Sequence, residues 1–130
     1  MKPINISLVL SSGGARGLVH IGAIEALEEA GFRITAIAGT SMGALVGGMF
    51  ACGSLNDYRK FMTGLTRLDV IRLMDLAVSK TGIIKGEKVF SEMKHFIGNV
   101  RIEDLPIPYA AVAADITNHQ EVVFKEGDLI

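Results

Sequence analysis

The segment ITAIAGTSMG, residues 34–43, decides the fold of this chain. Its first half is apolar and partly β-branched, which predicts a short buried strand over residues 34–38. Residues 44–51 are apolar on every side, which predicts a buried helix. The segment therefore places a GxSxG pattern between a strand and a helix, which is the context of a nucleophile elbow.

The elbow hypothesis assigns the attacking hydroxyl to Ser41, because the N-terminus of the following helix favours negative charge near that oxygen. Small residues are needed two positions before and after the serine, where larger side chains would collide. The turn around the serine consists of Gly39, Thr40, Met42 and Gly43. A plain glycine-rich turn between a strand and a helix would show the same pattern, and this alternative stays open.

The chain on either side extends the alternation of strands and helices. Residues 4–10 predict a buried strand and residues 16–30 an amphipathic helix capped by Gly31, so the chain begins with the βαβ unit of a parallel sheet. Further helices are predicted over residues 54–67, 68–78 and 86–96, a loop over 79–82, and paired strands over 109–114 and 121–124. The sequence thus predicts an α/β fold with a mainly parallel sheet.

A second glycine-rich motif, GGARG, follows the first strand at residues 13–17. Its backbone N–H groups would form an oxyanion hole facing Ser41, because the carboxyl ends of neighbouring parallel strands share one edge of the sheet. The loop also nearly matches the dinucleotide-binding pattern GxGxxG. Ser12 replaces the first glycine of that pattern, however, and no acidic residue ends the second strand. A simple turn at a helix start is the remaining alternative.

Composition excludes several classes of protein. The chain has 130 residues, of which 49% are hydrophobic, so it fits one folded domain and not a disordered segment. The net charge of −1 excludes a basic field that would hold nucleic acid. A single cysteine, Cys52, excludes an intrachain disulfide and a cysteine-rich zinc site. Because the N-terminus lacks a signal-peptide core and no apolar run reaches about 18 residues, we predict a cytoplasmic protein.

In combination, the motifs at residues 12–17, 20–22 and 39–43 resemble the patatin-like phospholipase family, and residues 81–86 and 113–117 look like its bacterial members. The resemblance covers the whole chain. It implies a three-layer α/β fold with a mainly parallel central sheet. It implies a serine lipid acyl hydrolase that cleaves carboxyl esters through an acyl-enzyme, using a Ser–Asp dyad. It also implies a lipid or ester substrate and a peripheral contact with a membrane. Because the sequence contains no cluster of metal-ligating residues, we expect no metal or other cofactor.

By this resemblance Ser41 is the nucleophile. The oxyanion hole is formed by Gly13 and Gly14, with Ala15 and Arg16 completing the loop. The family's dyad aspartate lies in a DGG or DGA motif after an ASxxP segment, and neither motif occurs here. We therefore expect residues 1–130 to be the N-terminal part of a single patatin-like domain, ending before the catalytic aspartate and having little hydrolase activity alone.

Candidates for the proton acceptor within the chain are weak. Asp115 ends a predicted strand and is the best candidate by position, but it matches a different position of the family. Asp128 is followed by a leucine and does not match the motif either. Of the three histidines, His20 is predicted to pack within a helix, His95 to be solvated and His119 to lie on the surface.

Other residues have an ordinary structural explanation beside a functional one. For Arg16, a tie to a nearby carboxylate is favoured over contact with a lipid phosphate. Cys52 is expected to be an inert core residue. Core packing is favoured over an acyl pocket for the apolar residues on the helices beyond the elbow, which are Phe61, Met62, Leu73 and Met74.

Two other functions compete with this prediction. An α/β-hydrolase esterase with a Ser–Asp–His triad would have the same elbow, but that fold usually places more than two strands before it. A non-catalytic module would be either a nucleotide binder or a degenerate patatin-like domain that acts by binding partners. A fluorophosphonate probe separates a serine hydrolase of either kind from the non-catalytic module, because it labels only an activated serine.

Overall fold

The computed structural model describes residues 2–66, 68–69 and 87–130. The strands are β1 (Ile4–Leu10), β2 (Phe32–Thr40), β3 (Tyr109–Asp115) and β4 (Gln120–Phe124). The helices are α1 (Val19–Glu29), α2 (Met42–Ala51), α3 (Leu55–Gly64) and α4 (Glu87–Ile97). Two short 3-10 helices, Gly14–Leu18 and Ile102–Asp104, precede α1 and β3. The helix predicted over residues 68–78 and the loop over 79–82 lie almost entirely outside the described residues.

The four strands form one sheet in the order β1-β2-β3-β4. Strands β1, β2 and β3 are parallel, and β4 returns antiparallel to β3 as a hairpin. This confirms the predicted α/β fold with a mainly parallel sheet. Because both crossovers run in the same direction along the sheet and such crossovers are right-handed, α1 and α2 lie on one face.

The core lies between this face of the sheet and the helices. Leu10 and Ile37 from the sheet pack there with Val46 and Met49 of α2, and each side chain is less than 5% exposed. On the opposite face of the sheet, Val9 is 79% exposed. The third layer implied by the family resemblance stays a prediction, because the described residues place α1 and α2 on the other face.

Two boundaries differ from the prediction and matter for the site. The helix predicted to begin at Arg16 starts as the 3-10 helix Gly14–Leu18, and regular α-helix begins only at Val19. Strand β2 is longer than predicted and continues to Thr40, so that Ser41 follows it without an intervening loop. The pairing of β2 with β1 has an irregularity at Thr35, whose hydroxyl donates a hydrogen bond to the Ile6 carbonyl over 3.1 Å.

Candidate active site

Ser41 has the backbone geometry of a nucleophile elbow. Its φ is 53°, in the left-handed region that a side chain with a Cβ atom rarely adopts. Its carbonyl oxygen accepts the N–H groups of Ala44 and Leu45 at 2.9 and 3.2 Å, which starts α2 directly at the serine. The serine is exposed to solvent. A strained, exposed serine between a strand and a helix is the arrangement that presents a hydroxyl to a substrate.

Steric hindrance by neighbouring backbone atoms requires glycine at both glycine positions of the GxSxG motif. A Cβ atom on Gly39 would lie 2.6 Å from the amide nitrogen of Ala44, and one on Gly43 would lie 2.6 Å from the carbonyl oxygen of Ser11. Real Cβ atoms essentially never approach closer than 3.0 Å. In both cases the obstacle is backbone, which cannot move aside as a flexible side chain can. The glycines therefore let the turn pass close to α2 and to the end of β1.

The other two residues of the turn, Thr40 and Met42, contact β3 and α3. The hydroxyl of Thr40 donates a hydrogen bond to the Val112 carbonyl over 2.9 Å, which fixes the end of β2 to β3. Met42 is buried, and the hydroxyl of Tyr58 on α3 lies 3.4 Å from its sulfur atom. Burial raises the pKa of Tyr58 to about 12, so this phenol stays protonated at neutral pH and is no general base. Tyr58 was not identified from the sequence as part of the site.

The glycine-rich loop packs directly against the elbow. A Cβ atom on Gly17 would lie 2.6 Å from the Cβ atom of Met42. Gly14 has a φ of 54°, and the amide of Arg16 donates to the carbonyl of Gly13 over 3.1 Å, which closes the first 3-10 turn. The structure thus brings together the two motifs that the sequence singled out. The first N–H groups of a helix have no acceptor within it, which leaves those of Gly14 and Ala15 as candidate anion donors.

A contact that the sequence did not predict joins this loop to α1. The Nε2 atom of His20 lies 2.8 Å from the carbonyl oxygen of Ser11, where the ring N–H can donate a hydrogen bond. We predicted packing within the helix for His20, but the half-buried side chain makes this polar contact instead. The same carbonyl lies against Gly43. His20 therefore helps to hold the start of the glycine-rich loop beside the elbow.

Asp115 is occupied by the β3–β4 turn. Its carboxylate accepts the N–H groups of Thr117 and Asn118 at 3.0 and 3.1 Å, and the Asn118 side-chain amide at 2.7 Å. These bonds, that of the Asn118 side chain first, lower the pKa of the carboxyl. Because Val112 pairs with Thr40, Asp115 lies about 10 Å beyond the end of β2. It lines a different depression of the surface from Ser41.

The remaining candidates take structural or surface positions. Arg16 is exposed, and its side chain makes no ion pair with any described residue, so the predicted tie to a carboxylate is not found among them. His95 and His119 are exposed, as predicted. Met62 is buried in the core, which confirms the favoured explanation for that residue.

Cys52 is half-buried, and its thiol lies 3.4 Å from the carbonyl of Met49. The ring of Phe61 packs against that of Phe96, with 6.2 Å between ring centres, so it too has a packing role. Leu73 and Met74 lie outside the described residues.

Within the described ranges, no group of three or more His, Cys, Asp or Glu side chains could hold a metal ion. In the same part of the chain, no helix is long and apolar enough to cross a membrane.

Comparison with known proteins finds the same family that the sequence motifs resemble. The family model for patatin-like phospholipases matches residues 8–128. An uncharacterized NTE family protein of Mycobacterium tuberculosis is 46% identical over 124 residues, which cover 95% of this chain and 34% of that protein. The neuropathy target esterase sws of Drosophila persimilis is 35% identical over 131 positions, which cover 96% of this chain and 9% of that protein. The chain therefore spans only about a third of the mycobacterial relative's length.

Proposed function

Because the chain belongs to the patatin-like phospholipase family, a family of lipid hydrolases, we propose that its Ser41 is the nucleophile of a serine lipid acyl hydrolase. The observation that carries this proposal is the backbone of Ser41, whose φ of 53° places an exposed hydroxyl on the turn between β2 and α2. The substrate class is a lipid or a simpler carboxyl ester. Peripheral contact with a membrane is part of the same proposal, since lipid substrates reside there.

The proposed reaction proceeds in two steps. The Ser41 hydroxyl oxygen attacks the ester carbonyl carbon and gives up its proton to a base, and the alcohol leaves with a proton to form an acyl-enzyme. Water then attacks the acyl-enzyme and releases the carboxylic acid. In each step the carbonyl oxygen becomes negative, and backbone N–H groups aimed at it lower the barrier. The close packing of Gly17 on Met42, beside Ser41, supports this role for the glycine-rich loop.

Within the loop, we assign the oxyanion donors first to the amides of Gly14 and Ala15. The amide of Arg16 already donates to the carbonyl of Gly13 over 3.1 Å, and that bond serves to hold the loop in shape. Gly13 supports this shape as the residue before the 3-10 helix. A Cβ atom there would lie 3.0 Å from the amide nitrogen of Gly17, so the loop is tightly closed.

We further propose that the base is a dyad aspartate from sequence outside residues 1–130. Asp115 is engaged in the β3–β4 turn. Asp128 is exposed, and its carboxylate lies 4.0 Å from the guanidinium of Arg101. A histidine base is disfavoured as well, since His20 contacts the Ser11 carbonyl and the other two histidines are exposed.

A fluorophosphonate probe tests the proposal on the complete protein. Wild-type protein is expected to be labelled, with the phosphonate on the peptide that contains Ser41. The Ser41→Ala protein should lose the label, whereas Ser91→Ala should keep it, because Ser91 is an exposed residue of α4. Absence of labelling in correctly folded wild-type protein, or labelling at another serine, would contradict the proposal.

A further inference from the structure

An apolar cavity lies beside Ser41, between α2 and the β3–β4 hairpin. Its volume is about 270 Å³. Its lining includes one stripe of α2 that begins at the elbow, namely Ser41, Ala44, Leu45, Gly48 and Met49. These positions fall at i, i+3, i+4, i+7 and i+8, so they share one face of the helix. Tyr109, Ala111 and Phe124 line the opposite wall, with Leu129 near Gly48.

The residues that line the cavity are almost all apolar. Among the described residues that line the cavity, none has a charged side chain, and the side chains that carry an oxygen are those of Ser41 and Tyr109. The hydroxyl of Tyr109 donates a hydrogen bond to the carbonyl of Ala44 over 2.8 Å, so its proton is not available to an occupant of the cavity. An occupant therefore meets hydrocarbon along the wall and a nucleophilic hydroxyl at one end. Such a wall favours an alkyl chain and penalises any polar group left without a hydrogen bond.

The length of the cavity is set by α2. Ser41 and Gly48 are seven residues apart, which is about 10 Å along the helix. A Cβ atom on Gly48 would lie 3.2 Å from the Cδ1 atom of Leu129 and 3.5 Å from the hydroxyl oxygen of Tyr109. Leu129 and Tyr109 therefore pack against Gly48 in this part of the cavity, and a side chain on Gly48 would press against both of them.

We propose that this cavity holds the acyl chain of the substrate, and that Gly48 and Leu129 limit the length of chain that fits. The inference rests on the proposed function, because it places the scissile ester at Ser41. Extended chains of medium length, such as octanoyl, fit along two turns of α2, whereas a palmitoyl chain is longer than the cavity. The preferred substrates are therefore esters of medium-chain acids, held by burial of methylene groups.

The experiment compares kcat/KM of the complete protein for p-nitrophenyl butyrate, octanoate and palmitate. Each methylene buried is worth roughly fourfold, so wild-type protein should prefer octanoate to butyrate by at least about tenfold. Gly48→Val should reduce the octanoate-to-butyrate ratio by about tenfold or more. Leu129→Ala should raise the palmitate-to-octanoate ratio, which is a gain that misfolding cannot produce.

Gly47→Ala is the matched control. A Cβ atom on Gly47 would meet the Ile37 side chain at 3.4 Å and the ring of Tyr109 at 3.6 Å, which are ordinary contact distances. Gly47 itself does not line the cavity, so the chain-length profile should stay that of the wild type. An unchanged octanoate-to-butyrate ratio in Gly48→Val, together with an unchanged palmitate ratio in Leu129→Ala, would overturn the acyl-chain assignment. Failure of wild-type protein to hydrolyse even butyrate through Ser41 would instead overturn the proposed function, and this inference with it.

Discussion

The phenol of Tyr109, at the start of β3, donates a hydrogen bond to the main-chain carbonyl of Ala44 in the first turn of α2, with 2.8 Å between the oxygens. This bond ties the central sheet to the helix that begins at the nucleophile. Burial raises the pKa of Tyr109 to about 12, so the hydroxyl keeps its proton well above neutral pH. Ala44 lies three positions after Ser41, and the elbow is therefore anchored close to the reacting oxygen.

Replacing Tyr109 by phenylalanine should lower the free energy of unfolding by about 1–2 kcal/mol, because the half-buried Ala44 carbonyl loses a donor. Tyr58→Phe is the control, since that hydroxyl faces the sulfur of Met42, a weak acceptor, at 3.4 Å. Urea unfolding of the two variants measures the difference. Equal losses of stability would show that the Tyr109 bond does not anchor α2.

The glycine at the end of the elbow motif should tolerate no side chain. Gly43→Ala places a Cβ atom against the carbonyl groups of Leu10 and Ser11, and should cost about 3 kcal/mol of stability, the upper end for overpacking. Gly47→Ala, one turn further along α2, meets the Ile37 side chain at an ordinary 3.4 Å and should be neutral or stabilising. Unfolding midpoints in urea compare the two. If both proteins were equally stable, the close approach of β1 to the elbow would be incorrect.

A substitution in the glycine-rich loop should act on turnover more than on substrate affinity. Gly14 has a φ of 54°, which a β-branched residue adopts only with strain, so Gly14→Val should move the loop's amides away from the oxyanion. Loss of one such donor lowers kcat by about 10²–10³-fold. Gly22→Ala on α1, whose Cβ atom would meet nothing within 4 Å, is the control and should be active. Steady-state kinetics of a normally folded Gly14→Val protein with unchanged kcat would remove the loop from the mechanism.

Asp115 should matter for stability and not for chemistry. Hydrogen bonds within the turn lower the pKa of its carboxyl group, and the bond from the Asn118 side chain has the largest effect. The ionised carboxylate therefore stabilises the folded protein at pH values above the ordinary pKa of about 3.9. This stabilisation is lost as the pH falls through the lower pKa of the folded state. Asp115→Asn should therefore be less stable than wild type at pH 7, with the gap narrowing in acid. Ser41 should still react with a fluorophosphonate. A stable Asp115→Asn protein without Ser41 reactivity would identify Asp115 as the base.

Much of the strand and helix pattern could be predicted from the sequence, because hydrophobic periodicity and glycine position are local signals. The predicted strand over residues 34–38 and helix over 44–51 correspond to β2 and α2. The exact break between them was not predicted, since it depends on the positive φ of one residue, Ser41. The contact between His20 and Ser11 was not predictable either, because it depends on how the intervening loop folds back.

The structural role of Asp115 has a local signal in the sequence. Thr117 and Asn118 lie two and three positions after Asp115, and an aspartate that hydrogen-bonds to the backbone of its own turn at these positions is a common local motif. That pattern indicates a turn-forming aspartate and argues against a free base. The contacts of Tyr58 and Tyr109 with α2 have no such local signal in the sequence, because they join segments that are far apart along the chain.

The central claim is that Ser41 is the nucleophile, and hydrolysis of p-nitrophenyl butyrate by the complete protein tests it most directly. Wild-type and Ser41→Ala proteins are compared at equal concentration, with urea unfolding to confirm that both are folded. The account predicts that Ser41→Ala lowers kcat by at least about 10³-fold, because the attacking hydroxyl is absent. A folded Ser41→Ala protein that retains most of the wild-type rate would contradict it.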